Sequence, residues 1–383
     1  MVLNRHHDRG STRRSRYRDR DQAVQATLAT ADKTRVIVAR RIRFDYERGA
    51  DPVWTPRCPE FACAANSVSL MMPTIEPYFV HSARRALPLL PPDLAEEARG
   101  YIQQEAQHFG QHVRFNRILH DRYPGLARVE GTMKWLYQRL ETSRSLEFSC
   151  AFAASSETMA YSAARWAANH RAELFREAHE VPASLFLWHL AEEVEHKSVA
   201  FDINRHLELQ GGRPARSRLR YLGAMITALS LVVTFVAWGT TVMLAGERRL
   251  HHPVAWFRLM RWSLGFAFEL LANLTLSLLP GFHPDDLTDP LWYDVWLREF
   301  DADSATFPVW SAVPDGLGST TQGPSGAANH VRSEGGEENC QKHREGRLGG
   351  PAGTAVRHGG NERPADGFRG AGLHQSGLPD VEC

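Results

Sequence analysis

The sequence predicts an all-α protein built around a four-helix bundle, and three observations support this prediction. Apolar residues recur at helical spacing through most of residues 59–211. Two of the helical stretches each contain a Glu-x-x-His pair, and two others each place a single glutamate among apolar or small residues. Bundles that hold two metal ions take Glu-x-x-His from two helices and one glutamate from each of the other two. The pattern therefore predicts a fold and a dinuclear site together.

Composition sets limits on the class of protein. The chain has 383 residues and 43% hydrophobic content, enough for one large domain or two small ones. Its net charge of +1 gives no strong field to attract nucleic acid, so no nucleic-acid partner is expected. Five cysteines, including Cys58 and Cys63, match no zinc or disulfide spacing. These features fit a cytoplasmic protein.

The N-terminal tail, residues 1–30, has seven arginines before position 21 and almost no apolar residues. It contains no hydrophobic run typical of a secretory signal. A disordered extension is the favoured interpretation, and an arm that binds an acidic partner is the alternative.

The bundle is expected within residues 31–212, after a lead-in over 35–54 and a proline-rich break. Pro73 is expected to open the first bundle helix, and Gly211 to end the fourth. The predicted helices are a short one at 60–72, bundle helices at 74–88, 93–121, 143–170 and 183–209, and a connecting helix at 126–140.

The fourth bundle helix is the most informative stretch. At about 100° per residue, His189, Glu193 and His196 project within a sector of roughly 60° on a helix that otherwise has core character. Burying such a group costs several kcal/mol unless a cation compensates. One such motif alone is more often a solvated polar stripe, but Glu105 and His108 repeat the spacing on the second bundle helix. The repetition favours a metal site.

The two remaining carboxylates are expected on the first and third bundle helices. Glu76 and Glu157 each lie in an otherwise apolar or small-residue helical run. The alanines around Glu157 would allow close helix approach, although they are also simply good helix formers. His112 and Glu192 face nearly the same way as the predicted ligands, and we expect them to orient those ligands through hydrogen bonds.

Residues 213–305 have a different character. No charged residue occurs from Tyr221 to Ala245, a length sufficient to span a bilayer, and arginines flank the run on both sides. A second apolar run, 263–282, is interrupted by Glu269, and a closing segment follows at 282–300. A membrane hairpin or anchor is slightly favoured over two buried helices that form an apolar substrate tunnel. Residues 306–383 are expected to be disordered, because 16 of the 29 glycines fall after position 310.

Several unusual motifs carry a family resemblance over residues 35–305: RRIRFDY (40–46), NSVSLMMPTIEPYF (66–79), QQEAQHFGQH (103–112), ASSETMAY (154–161), WHLAEEVEHKSVAFD (188–202) and GFHPDD (281–286). In this order they resemble the bacterial family of predicted metal-dependent hydrolases. The ligand order is also similar to that of ferritin-like di-iron N-oxygenases that act on aryl amines. The resemblance implies a ferritin-like bundle with two divalent ions, iron ahead of manganese or zinc. The implied ligands are Glu76, Glu105, His108, Glu157, His189, Glu193 and His196.

Three functions follow from these observations. The first is O2-dependent oxidation of a small apolar or aromatic substrate at two iron ions, which suits mixed imidazole and carboxylate ligands. The second is hydrolysis by a metal-activated water, as the family's description suggests. The third is a non-catalytic iron-binding protein. Oxidation is ranked above hydrolysis at this stage. The expected partners are a small-molecule substrate, O2 for the first function, and a membrane contacted through 221–245. The sequence does not determine the oligomeric state, for which a homodimer is one option.

Overall fold

The computed structural model describes residues 37–42, 44–47, 50–212 and 214–299, and among these it contains helices and no strand. The predicted all-α class is therefore confirmed. The tails predicted at 1–30 and 306–383 lie outside the described residues. The helices are α1 (Pro59–Ala86), α2 (Pro92–Arg122), α3 (Leu126–Ser143), α4 (Leu146–Asn169), α5 (Arg171–Leu174), α6 (Glu180–Glu195), α7 (Val199–Gln210), α8 (Pro214–Gly246), α9 (Pro253–Ser277) and α10 (Leu291–Glu299), with 3-10 turns at Leu87–Leu89 and Pro284–Asp286.

Four helical segments form the bundle: α1, α2, α4, and α6 with α7. Helix α1 packs along α2, and α4 packs against α6 and α7. Large side chains such as Trp188, Tyr101, Phe115 and Phe152 are almost fully buried between them. Each apolar side chain of this size contributes about 1.5–3 kcal/mol when it leaves water. The segments that carry the predicted ligands are therefore fixed by the core itself.

The first bundle helix differs from the prediction. The expected short helix at 60–72 and bundle helix at 74–88 are one continuous helix, α1, which runs through Pro73 and Pro77. A proline inside a helix leaves the carbonyl four residues earlier without its usual N–H donor. For Pro73 that carbonyl belongs to Ser69, and the Asn116 side-chain amide donates to it at 2.9 Å. The partner from α2 explains why the helix continues.

The fourth bundle helix also differs, because it is not continuous from 183 to 209. Helix α6 ends at Glu195 and α7 begins at Val199, with a turn between them. His196 lies in the turn with φ −106° and ψ 18°. The expected spacing therefore holds for His189 and Glu193, whereas the break directs His196 independently of the helix.

Helices α8 and α9 both pack on α1 and α4. On α8, a Cβ at Gly239 would lie 2.9 Å from Ser67 Oγ of α1, so glycine is required for this close approach. Helix α9 starts at Pro253, ten residues before the predicted run at 263. Both helices keep exposed outer faces, so they are not fully buried, and the substrate tunnel stays a prediction. By length and composition, Ala215–Gly246 could cross a membrane, and 28% of its most apolar stretch is buried.

Two flanking segments attach to the bundle near the predicted ligands. The N-terminal lead-in crosses α2 at Gly100, where a Cβ would lie 2.7 Å from the Ile37 carbonyl oxygen. The closing segment is held by buried Lys197, whose Nζ pairs with Asp289 at 2.6 Å and donates to the Leu287 carbonyl at 3.1 Å. The lead-in places an arginine beside α6, as described below.

Candidate metal centre

The bundle brings all seven predicted ligands into its interior. Helix α1 provides Glu76, α2 provides Glu105 and His108, α4 provides Glu157, and α6 provides His189 and Glu193, with His196 in the turn that follows. Every one of these side chains is buried, and His189 is the most exposed at 8%. Charged groups are seldom buried at this density without a compensating partner. The set therefore identifies a candidate functional site.

Two groups of potential ligand atoms lie close enough to hold a metal ion. In each group, one nitrogen or carboxylate oxygen per residue lies within 4.8 Å of all the others. His108 belongs to both groups. Glu193 also borders both, since its Oε1 lies 2.8 Å from His189 Nε2 and 4.0 Å from His108 Nδ1. The first group is Glu105, His108, Glu193 and His196, and the second is Glu76, His108 and His189.

Glu157 occupies a different position from the other carboxylates. It belongs to neither close group, and both of its oxygens already have partners. Its Oε1 accepts a hydrogen bond from the Tyr101 hydroxyl at 2.8 Å, and its Oε2 lies 3.1 Å from His196 Nδ1. Glu157 is thus adjacent to the cluster through His196, and its role as a ligand stays a prediction.

Many atoms that point into the cluster have no hydrogen-bond partner among the described residues. Burying an ionised carboxylate without a hydrogen-bond or charge partner costs several kcal/mol of folding free energy. A divalent cation would satisfy nitrogen and oxygen donors together, so the residues present fit a metal ion. The atoms are both oxygens of Glu76, both oxygens of Glu105, His108 Nδ1, Glu193 Oε2 and His196 Nε2.

Burial and mutual repulsion dominate the electrostatics. The pKa values of Glu76, Glu105 and Glu193 are raised well above 4.5, first by burial and then by neighbouring carboxylates. Burial and adjacent imidazoles lower the pKa of His108 well below 6.5, and burial lowers that of His189 to about 3. Neutral imidazoles are the form that binds metals. The carboxylates need added positive charge to ionise here.

A relay of hydrogen bonds behind His189 fixes its tautomer. Ser69 donates its hydroxyl proton to Asn116 Oδ1 at 2.7 Å, so Ser69 Oγ must accept from His112 Nδ1, also at 2.7 Å. His112 is neutral, since burial and His189 lower its pKa well below 6.5, and its Nε2 is then an acceptor. His189 Nδ1 donates to that nitrogen at 2.7 Å.

The relay leaves His189 Nε2 with a free lone pair facing the cluster. The nearest atom is Glu193 Oε1 at 2.8 Å, and Glu76 Oε1 is 3.5 Å away. Two acceptors in such contact repel each other unless a cation or a shared proton lies between them. The predicted orienting role of His112 therefore has a geometric basis, because His112 directs a bare nitrogen into the cluster.

A second chain of contacts reaches His108 from the lead-in segment. His108 Nε2 lies 2.9 Å from Glu192 Oε2, and Arg40 contacts Glu192 Oε1 at 3.0 Å. Arg40 also forms a double contact with Glu195 at 2.6 and 2.7 Å. Burial raises the pKa of Glu192 to about 8, an effect that Arg40 opposes. In the ionised state Glu192 accepts the His108 Nε2 proton and turns Nδ1 toward the cluster.

The site is closed. A cavity of about 10 Å³ lies beside it, lined by Tyr101 and mostly apolar side chains that include Phe79, Cys150 and Ala200. This is close to the smallest volume that holds one water molecule.

The contacts of four residues around the cluster were not predicted from the sequence, because each residue acts through a partner that is distant in the chain. Arg40 lies 152 residues from Glu192 along the chain. Ser69 and Asn116 meet across two helices, and Tyr101 reaches Glu157 from α2. Pro73 was the one available signal, since a proline within an uninterrupted helix implies a substitute donor for the Ser69 carbonyl.

The fold and the cluster together define a helical-bundle protein with a buried histidine and glutamate metal site. Residues 38–288 match the family model described as predicted metal-dependent hydrolase. The match covers well over half of the chain, so the protein belongs to that family, as the motifs predicted. Neither a curated protein nor a solved structure matches it. The similarity to ferritin-like N-oxygenases stays a prediction.

Proposed function

We propose that the protein is a metal-dependent hydrolase that binds two divalent ions in the buried cluster. The observation that carries the proposal is the set of unpartnered buried atoms on Glu76, Glu105, His108, Glu193 and His196. Counted with Glu157, the cluster holds four carboxylates, and two divalent cations would balance four negative charges. Hydrolysis is ranked first because the family's description names it, which reverses the order that the sequence alone favoured.

The chain's own residues divide the work around the ions. We assign Glu105, His108, Glu193 and His196 to one ion, and Glu76 with His189 to the other, following the two close groups. Divalent ions in such a site polarise a substrate carbonyl or phosphoryl oxygen and lower the pKa of water. The candidate metals are zinc, manganese and iron, because each of them binds mixed nitrogen and oxygen donors without thiolate.

Hydrogen bonds from neighbouring residues hold these ligands in place. Glu192 orients His108, and His112 orients His189, each by accepting the proton of the ring nitrogen that faces away from the cluster. The Tyr101 hydroxyl occupies Glu157 Oε1, which leaves Oε2 for His196 Nδ1.

O2-dependent oxidation is the second candidate. The observation in its favour is the donor set, because imidazole and carboxylate ligands without sulfur suit iron redox chemistry. The closed surroundings would also keep bulk water away from a reactive intermediate. The two candidates differ in the metal they need and in the source of the oxygen atom that enters the product.

One experiment separates the candidates. Metal-free protein is reloaded under nitrogen with zinc, manganese or ferrous ions and tested against a panel of small esters, amides and phosphoesters, with and without O2. Hydrolysis predicts turnover without O2 and incorporation of oxygen from isotopically labelled water. Oxidation predicts that, of the three metals, only iron gives turnover, that turnover requires O2, and that the product contains oxygen from labelled O2. The Glu105→Ala variant, tested on the same panel, measures the turnover that does not depend on the cluster. Turnover that Glu105→Ala retains in full would contradict the site assignment.

A further inference from the structure

Helix α9 presents an apolar stripe to solvent. Its exposed residues Phe257, Met260, Leu264, Phe268 and Leu271 follow one another at intervals of three or four, which places them on one face of the helix. Phe268 is 78% exposed and Phe257 61%. The stripe extends about 21 Å at 1.5 Å per residue. An exposed apolar surface of this length marks an interaction site.

Helix α8 adds a second exposed face without charge. Between Tyr221 and Gly246 it contains no ionisable side chain except that tyrosine, and Ile226 and Val233 are more than half exposed. The hydroxyls of exposed Ser230 and Thr241 donate to the carbonyls four residues earlier, each at 2.7 Å. A hydroxyl satisfied within its own helix needs no water, which is a requirement for contact with lipid.

Helices α8 and α9 both pack on α1 and α4, and each keeps an exposed apolar face. We name the exposed faces over residues 219–245 and 254–279 the apolar platform. Helix α8 contacts α1 at Gly239 and Tyr123, next to α2, at Gly246. A bilayer-spanning α8 would draw these bundle helices into the membrane with it. The packing instead favours a platform that lies in the plane of the membrane surface.

Unpaired basic side chains border the platform at both ends of α8. Exposed Arg216 and Arg218 precede it and Arg248 follows it, and none has a nitrogen within 4.0 Å of a carboxylate oxygen among the described residues. Two acidic groups of this region are paired, Glu247 with Arg122 and Glu269 with Arg165, and Glu147 offsets part of the charge of Arg216. With Glu147 counted against Arg216, the three arginines still leave a positive balance around the platform.

An exposed tryptophan lies near the basic border, at the beginning of α9. Trp256 is 48% exposed there, and its indole N–H donates to the Leu250 carbonyl at 2.6 Å. Tryptophan with arginine beside an apolar face is typical of the boundary between headgroups and acyl chains.

We propose that the apolar platform docks on a membrane that contains anionic lipid. Phosphate and carboxylate headgroups complement Arg216, Arg218 and Arg248, while acyl chains cover the stripe of α9. A second copy of the chain fits less well. A two-fold interface pairs the same patch with itself, and since both ends of α8 are basic, either relative direction of the two helices would bring arginines together. Like charges across an interface disfavour it.

Vesicle flotation tests the proposal with the full chain. We expect the protein to float with vesicles of phosphatidylcholine and phosphatidylserine, and to float less with phosphatidylcholine alone. Leu264→Ser with Phe268→Ser should weaken binding at least ~10-fold on both kinds of vesicle, since acyl contact is lost. Arg216→Ser with Arg218→Ser should weaken it ~5-fold per arginine, on anionic vesicles only. Circular dichroism should be unchanged, because all four side chains are on the surface.

The control removes exposed apolar side chains elsewhere. Val113→Ser with Trp135→Ser changes α2 and α3, outside the platform, and should leave flotation unchanged. Failure of the parent protein to float with either vesicle would overturn the proposal. So would a dimer in solution that Leu264→Ser with Phe268→Ser converts to a monomer, which would identify a second copy as the occupant. Resistance to an alkaline carbonate wash would show a spanning helix instead, and would equally contradict in-plane docking.

Discussion

Replacement of His112 tests whether the relay behind the cluster controls metal affinity. In His112→Phe the ring volume is retained, but His189 Nδ1 loses its acceptor at 2.7 Å and Ser69 Oγ loses its donor. His189 is then free to adopt the other tautomer or to rotate away from the cluster. Loss of such an orienting partner typically weakens metal binding ~10–100-fold. That range corresponds to about 1.4–2.7 kcal/mol of binding free energy.

Competition with a chelator of known affinity measures the effect on folded protein. His112→Gln is the conservative comparison, because its side-chain oxygen can still accept from His189 Nδ1, and it should recover part of the affinity. His120→Phe is the matched control on the same helix, where the histidine is partly exposed and faces Glu130. Unchanged affinity in folded His112→Phe would refute the orienting role. Complete loss of both ions would show that His112 is itself a ligand.

Three further predictions follow from the same contacts. Arg40→Met should lower metal affinity ~10-fold and lower Tm, because it leaves Glu192 buried without its cation. The control Arg41→Met changes an exposed neighbour and should alter neither metal affinity nor Tm, so equal Tm values in the two variants would contradict the prediction. In metal-free protein, Tm should fall as the pH rises from 6.5 to 8. The pKa of Glu192 is about 8 in the folded chain and 4.5 in the unfolded chain, so over this range the folded state gradually loses a proton that the unfolded state has already released. A Tm that stays constant or rises with pH in thermal scans would contradict the sign. A chain that ends at Ala312 should bind metal like the full chain, because the glycine-rich remainder lacks Trp, Tyr and Ile, and metal analysis checks it.

The metal-loaded protein is the control for the pH prediction. Bound cations favour ionised carboxylates, so the loaded protein should show little of the loss in Tm over the same range. The histidines near the cluster do not reverse the sign. Above pH 6.5 those with lowered pKa values are neutral in both the folded and the unfolded state. The pKa of His196 is raised by neighbouring carboxylates, which outweigh its burial, and this contribution to stability is also lost as the pH rises.

The sequence predicted the bundle because its evidence is local. Glu105 and His108 on α2, and His189 and Glu193 on α6, are placed by helical spacing along one segment. Helical periodicity also gives α2 within one residue of its observed limits. Pro73 misled the prediction of α1, since a proline more often opens a helix than continues one. The substitute donor for the carbonyl it exposes comes from Asn116, a residue that no local pattern connects to it.

The break at His196 was not predictable for a similar reason. No glycine or proline marks it, and the local pattern from Phe186 to Asp202 is helical throughout. Tertiary contacts on both sides determine it: His196 faces Glu157, while Lys197 is drawn to Asp289 of the closing segment. The orienting contacts of Arg40 likewise depend on a segment far away in the chain. Local patterns therefore located the ligands, whereas their supporting contacts required the fold.

Elemental analysis of the purified, metal-loaded protein tests the central claim most directly. The account predicts two divalent ions per chain in the parent, and loss of at least one in Glu105→Ala and in His196→Ala, with helix content mostly retained by circular dichroism. Glu130→Ala, which removes a partly exposed carboxylate of α3, should keep both ions. Two ions per chain in both site variants, or none in the parent after loading, would contradict the buried cluster as the metal centre.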